Sequence, residues 1–544
     1  MWRDKRSTIL PVPFSWSPSQ AFEGNDGAWS TFVVRIGEPD QDFHVLISTA
    51  GQETWVPVVD GCLPTDPSNC GALRGVLPFN NQYSGGLQVN SSLTWDPISL
   101  YELGLEENLN VTGNGEYGFD TVGLELANSG GLTLKHQIVA GVPDKDFLFG
   151  VFGLGPKPTN FTNGFNEPQP SFMWSLKNQS MIPSISYGYT AGAPYRLKKV
   201  LGSLTLGGYD AARFIPNNLT FPFSTDDSRV LTVGVQTIMA SNTLRGVMSL
   251  LPVGILALID STVPEIWLPE SACTIFEQAF GLQFDPHTNL YLVNDTVHTA
   301  LQTLNPSVTF KLGNTISGGP TINIELPYNA FDLQASWPIY PNATNYFPLR
   351  RAANDTQYTI GRTFLQEAYV VVDYERSNFS VSQALFSDNT TSQIVAIYPT
   401  ATPHSGSSLG KGALIGIIVA AVVVVLLLAT GGYVFYRVAK KKRERAREAQ
   451  PDRSELARVI AASQGTNDMQ GIYEAFAPKP TELGDNRRVS ELQGAKPVIL
   501  HSRSTSELEG VRLDHELSGE EARVELPAED VSAYRMNRAQ RTTE

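Results

Sequence analysis

A thirteen-residue unit occurs in two related copies in this chain, offset by 212 positions. Residues 45–57 read VLISTAGQETWVP, and residues 257–269 read ALIDSTVPEIWLP. Five positions are identical: Leu46/Leu258, Ile47/Ile259, Glu53/Glu265, Trp55/Trp267 and Pro57/Pro269. Each copy is an apolar run, a turn of small residues, then a Trp-containing run ending in Pro. A unit of this kind cannot bury its apolar face alone, and a related neighbour covers it. The repeat therefore points to two related lobes. Around it, residues 28–385 alternate short apolar runs with Gly, Asn, Pro and Asp turns, as at 30–36, 43–47, 202–206 and 368–372. Long helical periodicity is scarce, so the expected class is all-β.

A second feature divides the chain. Between Lys411 and Arg437 lie 25 residues without a charge, 412–436. As a helix this run is about 37 Å long, enough to cross a bilayer. Tyr433 and Tyr436 fall where an interfacial belt would sit, and Gly412 and Gly416 could pack against another helix. Arg437, Lys440, Lys441, Lys442, Arg443, Arg445 and Arg447 follow at once. A basic cluster beside a span marks its cytoplasmic side. The expectation is an integral membrane protein with its N-terminal part outside or lumenal.

Other counts agree with that division. Asn-X-Ser/Thr sequons stand at Asn90, Asn110, Asn160, Asn178, Asn218, Asn294, Asn342, Asn354, Asn378 and Asn389, and none follows the uncharged run. Such an asymmetry fits a glycosylated domain in the secretory pathway or at the plasma membrane. Residues 437–544 hold 19 basic and 19 acidic residues, so the whole net charge of −14 falls on residues 1–436. That acidity argues against nucleic acid as a partner. The first 21 residues hold no apolar signal core, and the expectation is a missing N-terminal signal segment. The tail is polar and poor in aromatics and reads as mostly disordered, with a short helix expected at 452–463. The expected organisation is an extension at 1–27, lobes at 28–200 and 201–385, a linker at 386–411, a span at 412–436 and a cytoplasmic tail at 437–544.

Several motifs together resemble the pepsin-like aspartic peptidases. The two repeat turns are similar to that family's hydrophobic-hydrophobic-Asp-(Thr/Ser)-Gly motifs, one from each lobe. Gly150-Val151-Phe152-Gly153-Leu154-Gly155 resembles the first lobe's glycine motif. Residues 202–210 resemble the strand and turn at the lobe junction, and Ile360-Gly361-Arg362 with residues 369–373 resembles the closing elements of the second lobe. The single span and basic tail are similar to membrane-attached fungal members. The resemblance implies a bilobal fold in which Thr49 and Ser261 tie the lobes together. It also implies a disulfide between Cys62 and Cys70, leaving Cys273 over, and a flap hairpin within residues 101–120. It implies no cofactor, and the sequence shows no metal-ligand cluster.

The chemistry of that family needs two carboxylates sharing one proton. One takes a proton from water and the other gives one to the carbonyl oxygen. Asp260 matches the second-lobe carboxylate, but the first-lobe position is Ser48. Serine does not ionise in this range. The turn glycines are also replaced, by Ala50 and Thr262, whose Cβ atoms would crowd the turn. No substitute carboxylate is evident. Asp40 and Asp42 lie six or more residues before Ser48, and Glu53 has a repeat equivalent in Glu265, which suggests a structural role. Nor is Ser48 an activated nucleophile. His44 shares its strand face about 13 Å away, and nothing points His136, His287 or His298 at it. Trp55 and Trp267 read as core.

The expectation is an inactive or impaired peptidase relative whose cleft still binds a peptide, a protein or a cell-wall polymer, with an unidentified cytoplasmic partner for the tail. Two alternatives stay open. One is an active endopeptidase using Asp260 with a nonstandard partner. The other is a structural or adhesive surface glycoprotein.

Overall fold

The computed structural model describes residues 10–161, 168–387, 391–400, 428, 430–443 and 522–523. The chain divides into two compact units, residues 1–400 with 516–544, and residues 401–515.

Both copies of the repeat fold in the same way. In the first, Gln41–Ser48 runs parallel to Gly150–Gly153, with Val45 opposite Gly150 and Ser48 opposite Gly153. The Trp-containing strand Thr54–Pro57 then lies antiparallel to Gly150–Gly153 and parallel to Thr133–Val142. The second copy repeats each relation. Ile255–Ile259 runs parallel to Thr359–Ile360, and Ile266–Pro269 lies antiparallel to Thr359–Ile360 and parallel to Leu349–Ala352. Each copy thus clasps a strand from later in its own half. This construction buries every residue of Gly150–Gly153 and of Thr359–Ile360, as expected for strands covered on both faces.

The clasped strands need glycine at their ends. A Cβ on Gly153 would lie 2.5 Å from the Gln52 nitrogen and the Gly51 carbonyl carbon. One on Gly361 would lie 2.1 Å from the Glu265 oxygen. In both lobes the glycine lets the clasped strand approach the backbone of the repeat turn.

Each half builds an eight-stranded sheet, and a six-stranded sheet joins them. That joining sheet takes strands from both halves, with Ser186–Ala193 lying between Val200–Leu206 and Ala368–Asp373. Phe14–Trp16 adds one edge, pairing with Leu204 to Leu206. Pro18–Glu23 pairs with Trp29–Ile36 in the first-lobe sheet. Strand pairing therefore begins well before residue 28, and Ile394–Ala396 extends it past residue 385 by pairing with Gly208–Asp210. One apolar cluster runs from Trp16 and Phe32 through Tyr187 and Leu204 to Ile259 and Val381, so the lobes share a core. Helices are few and short, the longest in this unit being Glu270–Phe280 and Asp295–Leu304. The all-β, two-lobed expectation is met.

Cys62 and Cys70 form a disulfide, and Cys273 is a free, buried thiol whose pKa is pushed up to about 12, chiefly by burial. Most of the 412–436 run lies outside the described residues, as does the helix expected at 452–463. Residues 430–443 are helical. Among the described residues, no helix is long and apolar enough to cross a membrane. Asn160–Phe161 and Ala522–Arg523 make a two-residue parallel pairing.

The close approaches at Gly153 and Gly361 give a direct test. Gly361→Ala is expected to lower stability by about 1–3 kcal/mol, the usual range for overpacking a close contact. A urea midpoint unchanged from wild type would show that the clasp is looser than described.

Candidate active site

The two repeat turns meet where the lobes join. Buried Val45, Leu46 and Ile47 carry the chain to Ser48, and buried Leu258 and Ile259 carry it to Asp260; both site residues are fully buried. Their neighbours lock the turns together. Thr49 N donates to Ser261 Oγ at 3.0 Å, and Ser261 N donates to Thr49 Oγ1 at 3.0 Å. Each hydroxyl then donates into the other copy, Thr49 Oγ1 to Ile259 O at 3.3 Å and Ser261 Oγ to Ile47 O at 2.6 Å. This is the tie expected of Thr49 and Ser261.

Beneath the second turn lies Arg362, fully buried. Its Nη1 donates to Ser261 O at 2.8 Å and Thr262 O at 3.1 Å. The guanidinium stacks over Trp29 at 4.6 Å and pairs with Asp26 at 3.5 Å. Burial raises the pKa of the Asp26 carboxyl, and the Arg362 charge offsets part of that rise. Two carbonyl contacts and a planar stack suit guanidinium better than ammonium.

Between Ser48 and Asp260 stands a third side chain. Thr262 Oγ1 donates to Asp260 Oδ1 at 2.7 Å and lies 2.7 Å from Ser48 Oγ. Thr262 N also donates to Asp260 Oδ1, at 2.9 Å. Because Thr262 gives its only hydroxyl proton to Asp260, Ser48 must give its own to Thr262. Ser48 Oγ in turn accepts from Gly51 N at 2.7 Å. The chain of donors ends on the carboxylate, and no histidine enters it. His44 turns instead to Glu23, at 2.6 Å. Ser48 therefore has no base to activate it.

The other carboxylates near the first turn are structural. Glu53 accepts from Trp55 Nε1 at 3.0 Å, Tyr117 OH at 2.9 Å and Thr159 Oγ1 at 2.7 Å. Its repeat equivalent Glu265 pairs with Arg350 at 3.0 Å. Asp40 pairs with Arg35 at 3.0 Å. Asp42 sits at the far end of the strand that carries Ser48, and burial raises its pKa. Trp55 packs edge-on against Phe147 in a buried cluster, as expected of core. Trp267 is also buried, but it packs against the flap tip.

The flap is the hairpin of Asp96–Glu102 and Asn114–Leu124. Tyr101 and Tyr117 both lie in its strands with buried rings 6.0 Å apart, so neither stands at the tip. The tip is the short turn Glu107–Leu109, flanked by Glu106 and Asn110, both in left-handed backbone conformation at φ 65° and 61°. It docks on the second lobe. Leu109 packs against Val263 and Trp267. Asn108 Nδ2 donates to Thr356 O at 2.9 Å, and Gln357 Nε2 donates to Asn108 O at 2.5 Å. Glu106 is buried beside Asp260, and neither Glu106 Oε1 nor Asp260 Oδ2 has a hydrogen-bond partner. Burial first, and the Asp260 carboxyl second, push Glu106 well above the usual carboxylate range, while the Arg229 charge draws it down.

Sequence reasoning missed Glu106, because it sought a substitute carboxylate close to Ser48 along the chain. The available signal was an acidic pair, Glu106-Glu107, in the middle of the segment expected to form the flap. Among the described residues no group of side chains is arranged to hold a metal ion.

Of the ten sequon asparagines, Asn389 lies outside the described residues. Asn90, Asn110, Asn178, Asn218, Asn294, Asn342 and Asn354 are exposed, and Asn160 and Asn378 are half-buried.

Comparisons with known proteins place the chain in a family. The family described as eukaryotic aspartyl protease matches residues 31–384. Secreted aspartic protease 6 of Candida albicans is 24% identical over 370 residues, covering 67% of this chain and 78% of that protein. Candidapepsin-1 of Candida albicans is 24% identical over 356 residues, covering 65% of this chain and 80% of that protein. The crystal structure of an aspartic proteinase from Irpex lacteus matches with a TM-score of 0.45 at 17% identity, covering 69% of this chain and 98% of that one. With a family match that takes in both lobes and both repeat turns, the chain belongs to the eukaryotic aspartyl proteases.

Proposed function

We propose that this protein is a membrane-anchored glycoprotein whose aspartic-peptidase-like body binds a ligand in the interlobe cleft without hydrolysing it. The observation that carries the reading is Thr262 Oγ1, 2.7 Å from both Asp260 Oδ1 and Ser48 Oγ. A carboxyl pair activates a water held between its members. Here a side-chain oxygen bridges that space, and the first member is a hydroxyl. Loss of one general acid-base group typically costs about 10²- to 10⁴-fold in rate. The cleft suits an extended chain, whether a peptide, a protein segment or a cell-wall polymer.

Anchoring rests on the 25 uncharged residues and the basic cluster after them. Glycosylation rests on the sequons and on the exposure of seven of the nine that are described. Relatives named secreted proteases agree with a body on the non-cytoplasmic side. The pairing of Asn160–Phe161 with Ala522–Arg523 opposes this topology, because a tail across a bilayer could not make it. Two paired residues stabilise little, whereas holding so long an apolar run in water is costly.

A hydrolytic reading has one observation in its favour, the Glu106 carboxyl beside Asp260. Against it, Asp260 is fully buried with the flap tip docked on the second lobe.

Two experiments test the proposal. The wild-type chain, assayed at acid pH, is expected to leave peptides intact while binding a statine-type peptide. The triple substitution Ser48→Asp, Ala50→Gly, Thr262→Gly is expected to gain hydrolysis. Wild-type hydrolysis that Asp260→Asn abolishes would overturn the non-hydrolytic reading, and absence of binding would favour an adhesive surface role. For topology, protease added to sealed right-side-out cells is expected to spare residues 437–544 while digesting the glycosylated body. A tail digested along with the body would place both on one side and reject the span.

A further inference from the structure

We propose that Glu106 is the proton-sharing partner of Asp260, and that the pair is a latch: one proton between them keeps the flap tip seated in the cleft, and its loss frees the tip. The latch governs entry to the ligand cleft assigned above and so rests on that reading.

Three observations carry the idea independently. First, Glu106 Oε1 and Asp260 Oδ2 are both buried, and neither receives a hydrogen bond from a fixed donor. Two carboxylates facing each other in a dry site repel unless one holds a proton, and then the same contact becomes a hydrogen bond. Second, Glu106 adopts a left-handed backbone conformation that a long side chain rarely takes. Such strain persists where surrounding contacts impose it, and it clusters at functional positions. Here the imposing contacts are Leu109 on Val263 and Trp267, and Asn108 on Thr356 and Gln357. Third, with the tip docked on Val263 and Trp267, Asp260 is fully buried. A ligand reaching Asp260 must displace the tip.

Groups facing the pair come from every neighbouring element. The second lobe contributes Asp260 itself and, at longer range, Arg229, which Asp226 and Asp355 flank. The joining sheet contributes Tyr187, whose burial keeps its phenol neutral. On the first-lobe side, Glu53 lines one pocket with Leu105, and its carboxylate is already engaged by Trp55, Tyr117 and Thr159. Arg229 is therefore the cation that opposes the pair's need for a proton, and it does not remove that need.

The sign follows from the two states of Glu106. With the flap open, its carboxyl is solvated and titrates near the ordinary 4.5. With the flap closed, it keeps its proton to higher pH. Closure is at full strength below about pH 4.5, weakens as pH rises, and is lost above the raised value. The latch is thus shut in acid and released as pH rises.

Hydrogen exchange on the full-length, detergent-solubilised chain tests this. Amides of residues 103–113 report the tip, and amides of Ser186–Ala193 report the body. After correction for intrinsic rates, tip protection is expected to fall between about pH 4 and about pH 8, tenfold for each unit by which closure raises the Glu106 pKa. Body protection should hold. Glu106→Gln, whose amide can donate to Asp260 without titrating, is expected to remain protected at both pH values. Asp260→Asn should do the same from the other side, and Glu106→Ala should be unprotected at both. Tip protection that is equal at both pH values in wild type, that falls only together with the body, or that keeps its pH dependence in Glu106→Gln would overturn the latch. Binding of a statine-type peptide is measured alongside. If Glu106→Ala frees the tip yet binds no peptide, the latch stands and the ligand-cleft reading fails.

Discussion

Everything at the centre of this molecule depends on two residues that each bond into the other's repeat. Thr49 and Ser261 exchange backbone N–H for hydroxyl oxygen, then pass their hydroxyl protons to Ile259 and Ile47. These four bonds are fully buried, so breaking one leaves an unpaired polar group in the core, which costs more than the bond's net worth. The symmetry of the exchange is what the sequence repeat encodes. It sets the separation of Ser48 and Asp260 without reference to what either side chain does. The scaffold can therefore survive a change of chemistry at the adjacent positions, and positions 48, 50 and 262 have departed from the family motif while 49 and 261 have kept their hydroxyls.

The departures are not independent of one another. An aspartate at 48 would meet the Thr262 hydroxyl where Ser48 Oγ now donates to it, and a glycine at 262 would leave Ser48 with no acceptor across the cleft. Serine and threonine together make a closed donor chain from Gly51 to Asp260. In this sense the site has a new order of its own. It also fixes the carboxylate of Asp260 through Oδ1 alone, leaving Oδ2 buried without a hydrogen-bond partner.

Much of this was legible in the sequence, and the parts that were not share a cause. The repeat predicted two strand-turn-strand units, and the family resemblance assigned Thr49, Ser261 and the Cys62–Cys70 bridge their roles. Glu53 was read as structural because Glu265 repeats it, and both carboxylates are engaged with core partners. Glu106 escaped because its approach to Asp260 depends on a hairpin folding back onto the second lobe, and the acidic pair Glu106-Glu107 does not by itself report that fold. The strands Phe14–Trp16 and Pro18–Glu23 escaped for a similar reason. They are short, contain or adjoin prolines, and become strands only because Leu204 to Leu206 and Trp29–Ile36 offer them an edge. Tertiary context decides such segments.

The burial of Arg362 carries a consequence for how the chain matures. Its guanidinium holds the second repeat turn from below while resting on Trp29 and on Asp26, which is 336 residues away in sequence. The joining sheet likewise places Ser186–Ala193 against Ala368–Asp373. During synthesis, then, the first lobe leaves the ribosome without the strands that close its floor, and its apolar underside stays uncovered until the last of the body emerges. Contacts of such wide sequence separation make assembly slow, and exposed strand edges invite pairing with the wrong chain. Assembly of this body is therefore a late event, completed only when the second half returns to meet the first.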